Sequence, residues 1–237
     1  MKILALDSSG LVATVAVVED DNLLAEYTVH YKKTHSQTLL PMLDTIAAMI
    51  ELDLDSIDAI AVAKGPGSFT GLRIGSATAK GLGLALNKPL IGIPTVDGLA
   101  YNLYGTDKLI CPLMDARRSQ VYTGIYEFVK EEFHVLDAQM AVPIEEIAHR
   151  LNGYGREVIF LGDGVPVFSE RLAELMQVPY TFAPAHMNKQ RASAVAVLAL
   201  SYAKAGKTET AEAHMPDYLR PSQAEREREE REKAGKC

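Results

Sequence analysis

The chain has 237 residues, 48% hydrophobic and 23% charged, with a formal net charge of −7. That length gives one large domain or two small ones with real cores, and the acidic balance excludes a nucleic-acid platform acting alone, because phosphates repel it. Two cysteines, Cys111 and Cys237, are too few for a disulfide framework and predict a reducing, cytoplasmic setting.

The opening MKILALDSSG has neither the length nor the cleavage pattern of a signal peptide, and no apolar run approaches a membrane span. KILALDSS reads instead as a buried central strand. LVATVAVVED and LLAEYTVHY follow as a hairpin about the turn EDDN. THSQTLLPMLDTIAAMIEL places Leu39, Leu43, Ile46 and Ile50 at helical spacing, with Pro41 expected in the first turn. IDAIAVAKG is a strand, the glycine-rich GPGSFTGLRIGSATAKGLG opens a helix with Ser68 as N-cap, and KPLIGIP is a strand. TVDGLAYNLYG is a short helix capped by Thr95 or Asp97.

The order then restarts. LICPLMDARR is an apolar run ending in an aspartate, like the first strand, and SQVYTGIYEF and FHVLDAQMAV follow it. PIEEIAHRL starts a helix at Pro143, EVIFLGDG is a strand, VPVFSERLAELM a helix and YTFAP a short strand. NKQRASAVAVLALSYAKAG is a long, mostly apolar helix buried on several sides. The repeated order predicts a duplicated α/β unit, with lobes at 1–106 and 107–220. The tail 221–237 has no apolar face; its Glu227–Arg231 and Glu229–Lys233 spacings suit weak helical ion pairs, so it reads as a solvated helix or disorder, or else as a docking tail.

Chemistry is sparse. Asp7 and Asp115 end equivalent strands, where α/β kinases grip phosphate and magnesium. Asp7, Ser8, Ser9 and Gly10 fit such a turn loosely; Arg117 and Arg118 stand where the second turn needs glycine. The bland reading is that both aspartates terminate strands. No two histidines are spaced i, i+4 for a metal, and His35 caps its helix or packs against a neighbour. Ser68 lacks the G-x-S-x-G setting of a nucleophile, and Cys111 sits in a buried strand, where thiols are inert. GPGSFTGLR is not a Walker loop. Its Gly67, Gly71, Gly75, Ala79 and Gly83 recur every fourth residue and form a stripe without bulk. Glycine costs about 1 kcal/mol against alanine in a helix, so close packing must compensate. The neighbour is either the same domain or another subunit. The expectation adopted is a subunit contact, with Phe69 and Leu72 as anchors.

LALDSS, HSQTLLP, GPGSFTGLRIG, MDARRSQVY, LGDG and PDYLRPS occur in that order. In these motifs the chain resembles the TsaB (YeaZ) family over about 220 residues, all but the charged tail. The resemblance implies an actin-like, sugar-kinase-like (ASKHA) α/β fold of two similar lobes. It implies a non-catalytic subunit, required for threonylcarbamoylation of the tRNA adenosine beside the anticodon. The partners implied are the catalytic TsaD and the ATPase TsaE, with a homodimer in isolation and tRNA reached only through the complex. TsaD carries an H-x-x-x-H metal motif, which this sequence lacks. The usual contact surface in the family is the N-terminal lobe, here Leu39, Leu43 and Ile46 together with Phe69, Gly71, Leu72, Gly75 and Ala79. The chain is expected to hold no cofactor of its own, leaving ATP or ADP to a site shared with partners. Two other readings differ in class. One is an ATP-dependent phosphotransferase, opposed by DARR in place of a glycine loop. The other is a peptidase, opposed by the absence of a metal pair or triad. Within the cleft, Arg117 and Arg118 are expected to pair with Asp7 or Asp163 and lock the lobes, the alternative being that they receive a phosphate from a shared ligand.

Overall fold

Alternating apolar residues give strand Lys2–Asp7 (β1) two buried faces, with Leu4 and Leu6 on one and Ile3 and Ala5 on the other. In the computed structural model, which describes residues 1–31 and 35–220, β1 is the centre of a five-stranded sheet. Ala13–Glu19 (β2) and Asn22–Val29 (β3) continue it as antiparallel hairpin strands. Ala59–Gly65 (β4) and Leu90–Pro94 (β5) add on the other side in parallel, giving the order β3-β2-β1-β4-β5. Helices His35–Met49 (α1) and Phe69–Leu86 (α2) supply the connections between the parallel strands.

The second sheet repeats this plan. Leu109–Asp115 (β6) is central, Gln120–Val129 (β7) and Glu132–Pro143 (β8) are antiparallel, and Val158–Leu161 (β9) and Tyr180–Phe182 (β10) are parallel. Its order, β8-β7-β6-β9-β10, matches the first sheet strand for strand. Thr95–Tyr101 (α3), Ile144–Tyr154 (α4), Val165–Leu175 (α5) and Ala192–Lys204 (α6) are the remaining α-helices among the described residues.

Each sheet is covered on both faces. Leu39, Met42, Leu43 and Ile46 of α1 join Ala79 of α2 against Leu4, Leu6, Ile60 and Val62. The opposite face takes α6, whose Val195, Ala196, Leu198 and Ala199 meet Ile3, Ala5 and Ile91. Helix α6 follows the second sheet in sequence yet packs on the first. Helix α3 does the converse: Val96 and Leu99 pack with Ile110, Met114 and Tyr126. The strands of the first sheet all precede those of the second in the chain, but the helices cross over.

Two local expectations change, and a third is not tested. Pro41 lies inside α1 rather than in its first turn; its ring costs the Gln37 carbonyl a partner, and both residues are exposed, so water can replace the bond. Helix α3 is entered at Pro94 with no side-chain cap, because Asp97 points elsewhere. The charged tail lies outside the described residues.

Candidate functional site

A cleft of about 430 Å³ lies between the lobes, lined by both strand-ending turns, the start of α2 and residues 218–220. Asp7 is buried at the first turn and accepts from the Ser9 amide at 2.7 Å. Burial pushes its carboxyl above the usual carboxylate range. Ser8 donates its hydroxyl to the Gly71 carbonyl at 2.9 Å, and the Ser68 amide donates to the Ser9 carbonyl at 2.6 Å. His35 Nε2 meets the Gly10 carbonyl at 2.8 Å. A carbonyl only accepts, so in the neutral ring Nε2 carries the proton and Nδ1 is left as an acceptor; it finds no partner among the described residues. His35 thus ties helix to turn, the packing alternative of its two readings.

Asp115 pairs with Arg117 at 3.1 Å, and its amide donates to Asp163 Oδ1 at 3.2 Å. Burial, then the Asp115 charge, raises the Asp163 carboxyl above its ordinary value. Arg117, Arg118 and Ser119 take φ of 64°, 55° and 58°. This is the left-handed region that favours glycine, at a cost of order 1–3 kcal/mol for each such residue. The turn therefore keeps the backbone shape of a glycine turn while carrying side chains. The expected lock by Arg117 is corrected: its ion pair is the local one with Asp115, short and exposed. The arginine that holds this turn is Arg220, donating to the Ala116 carbonyl at 2.7 Å.

The glycine stripe is also corrected. A side chain at Gly71 would collide with the Ser8 carbonyl, and one at Gly75 would lie 2.7 Å from Ser8 Oγ beside Val62 and Leu6. Ala79, Leu72, Leu39, Leu43 and Ile46 are likewise buried within the chain. These residues are the lobe's own core rather than a subunit contact. Glycine is needed there because the turn after β1 lies directly on α2. Phe69 is half-buried, its ring packed at a tilt against Tyr218 at 4.5 Å between centroids and 4.1 Å from the Arg73 guanidinium. The outward face of α2 carries Arg73, Ala77, Gly81 and Leu84, and nothing lies within 4 Å of where a Gly81 side chain would project. Beside it, α1 exposes Leu40 and Met49.

Cys111 is fully buried and its thiol is pushed up to about 12, which makes it unreactive. No group of three or more potential metal-ligating side chains occurs among the described residues. Asp97, read from sequence as a cap, is an interlobe acceptor instead: Tyr126 of β7 donates to it at 2.8 Å and Tyr202 of α6 lies at 3.5 Å. Sequence reasoning noted Tyr218 and Arg220 only as letters in PDYLRPS. They lie in a segment without regular structure, where periodicity carries no signal.

The family model described as TsaD, tRNA N6-adenosine threonylcarbamoyltransferase, matches residues 22–228. The chain is 33% identical to the tRNA threonylcarbamoyladenosine biosynthesis protein TsaB of Bacillus subtilis, over 95% of this chain and 96% of that one. Among solved structures, YeaZ of Pseudomonas aeruginosa superposes with a TM-score of 0.80 at 27% identity, covering 92% of this chain and 99% of that one. In fold alone, the chain is similar to a ROK hexokinase of Thermus thermophilus, with a TM-score of 0.50 at 14% identity over 87% of this chain and 100% of that one. The fold is therefore actin-like and sugar-kinase-like, and the chain belongs to the TsaB (YeaZ) family.

Proposed function

We propose that the chain is a non-catalytic subunit for threonylcarbamoylation of tRNA, supporting TsaD as the catalytic subunit together with the ATPase TsaE. The observation that carries this reading is the second cleft turn. Three side-chain-bearing residues, Arg117, Arg118 and Ser119, fill the left-handed positions that a phosphate-gripping turn leaves to glycine. Asp7 supports it: burial makes its charged form costlier, which weakens it as a magnesium ligand. The chain has no resident cofactor, and ATP or ADP belongs to a site shared with the partners.

The outward faces of α1 and α2 are the surface for TsaD and, in isolation, for a second copy. Leu40, Met49 and Leu84 are exposed around the small residues Ala77 and Gly81, which let another helix approach closely. With the chain's net charge at −7, tRNA is reached through the assembled complex in the cytoplasm. No helix among the described residues is long and apolar enough to cross a membrane.

Affinity capture of the tagged chain from native extract, with mass spectrometry of what is retained, tests the partners. TsaD and TsaE are the expected companions. Elemental analysis of the pure chain is the second arm, and one tightly held zinc or iron per chain contradicts the non-catalytic reading.

A further inference from the structure

Residues 217–220 belong to no helix or strand, yet they touch both lobes. On the first lobe, the Asp217 amide donates to the Lys64 carbonyl at 2.6 Å, and the Asp217 carbonyl occupies the space beside Gly65 (φ 125°) that a side chain would need. The Tyr218 ring packs on Phe69. Upstream, Lys80 Nζ of α2 donates to the carbonyls of Glu212 and His214, and Glu209 bridges to Leu90. The segment is thus anchored along the first lobe before it reaches the cleft.

Among the described residues, two hydrogen bonds reach from it to the second lobe. Gln139 Nε2 of β8 donates to Asp217 Oδ2 at 3.2 Å, and Arg220 donates to the Ala116 carbonyl. The Ala116 carbonyl directly precedes the three left-handed residues 117–119. Arg220 therefore grips a turn whose backbone conformation is unfavourable for its own residues. Tyr218, Leu219 and Arg220 also line the cleft that contains Ser9, Asp115 and Asp163.

We infer that residues 217–220 are an autoinhibitory clasp: they hold the lobes at one spacing along one wall of the cleft, and a ligand gains full access to Ser9 and Asp163 only when Arg220 leaves Ala116. The ligand half rests on the proposed reading of the cleft as a nucleotide site shared with partners; the clasp half stands on the contacts alone. The anchoring along α2 keeps the segment attached to the first lobe while Arg220 swings away.

Amide hydrogen exchange on the full-length chain tests the clasp. Arg220→Ala and Tyr218→Ser should speed exchange at least tenfold in residues 8–12 and 116–120, while the central strands β1 and β6 stay protected. Tyr218→Phe keeps the ring on Phe69 and should match the parent. Arg220→Gln, which retains a donor but not the reach, should fall on the fast side, and it decides the matter if Arg220→Ala does not fold. Unchanged exchange in both turns of a folded Arg220 variant overturns the clasp. Calorimetric titration of the same proteins, each assembled with TsaD and TsaE, with magnesium and ADP separates the two halves. Binding at least tenfold tighter in the released variants supports both. Faster exchange with no gain in ADP affinity supports the clasp and rejects the nucleotide reading.

Discussion

Ser8 and Gly71 hold each other in two ways: the Ser8 hydroxyl donates to the Gly71 carbonyl at 2.9 Å, and the Ser8 carbonyl fills the place a Gly71 side chain would take. The turn after β1 is thereby fixed against the start of α2, and the cleft inherits its shape from that contact. Gly71→Ala must push the turn and helix apart. The expected cost is roughly 1–3 kcal/mol, as for other overpacked sites, despite alanine's better helix propensity. Chemical denaturation measures it, and a variant as stable as the parent contradicts the packing described.

The same helix supplies the opposite test on its outer face. Gly81→Leu adds bulk where space is open, and leucine favours the helix by roughly 1 kcal/mol over glycine. The variant should fold at least as well as the parent, yet sediment as a monomer and fail to capture TsaD. Gly75→Leu should do the reverse and lose its fold, because Ser8, Val62 and Leu6 surround the position. Normal self-association of Gly81→Leu moves the interface away from α2.

Asp7 gives a pH signature. Burial raises its folded pKa above the unfolded value of about 3.9. Between the two values the native state binds more protons than the unfolded chain. This group's contribution is therefore most favourable below the unfolded pKa and declines as pH rises through the folded one. Asp163 has the same sign. Asp7→Asn keeps an acceptor for the Ser9 amide and removes the ionisation. Its melting temperature should exceed the parent's at neutral pH, and the two should converge below about pH 4. A gap that is constant across the range rules out this titration.

Asp97 joins α3 to Tyr126 in the second sheet, and burial raises both groups above their ordinary values. Tyr126→Phe removes one donor and leaves the buried carboxyl short of a partner. The expected loss is about 1–3 kcal/mol. A thermal melt indistinguishable from the parent's means that Tyr202 alone satisfies Asp97.

Much of this architecture is legible in the sequence, and the reason is periodicity. Strand β1 announces itself by an unbroken apolar run, and LICPLMD repeats it at the centre of the second sheet, so the equivalence of Asp7 and Asp115 is readable from pattern alone. Ser68 as a cap follows from local chemistry, and its side chain does accept from the Gly71 amide at 3.3 Å. A stripe of small residues, by contrast, says that something approaches closely without saying what. Gly71 and Gly75 face the lobe's own turn, and the residue facing outward, Gly81, lies off the i, i+4 series that drew attention. Long-range pairings were equally invisible: nothing near Arg220 in sequence points to Ala116, and nothing near Asp97 points to Tyr126. The allegiance of α6 to the first sheet is a matter of chain path, which no local pattern encodes.

The most direct measurement is transfer of threonylcarbamoyl from its adenylate to unmodified tRNA, followed by nucleoside mass spectrometry. The pure chain should give no modified adenosine, and addition of TsaD and TsaE should restore it. The stimulation should be lost with Gly81→Leu. Modified adenosine formed by the pure chain alone, or full activity of TsaD and TsaE without it, would contradict a non-catalytic but required subunit.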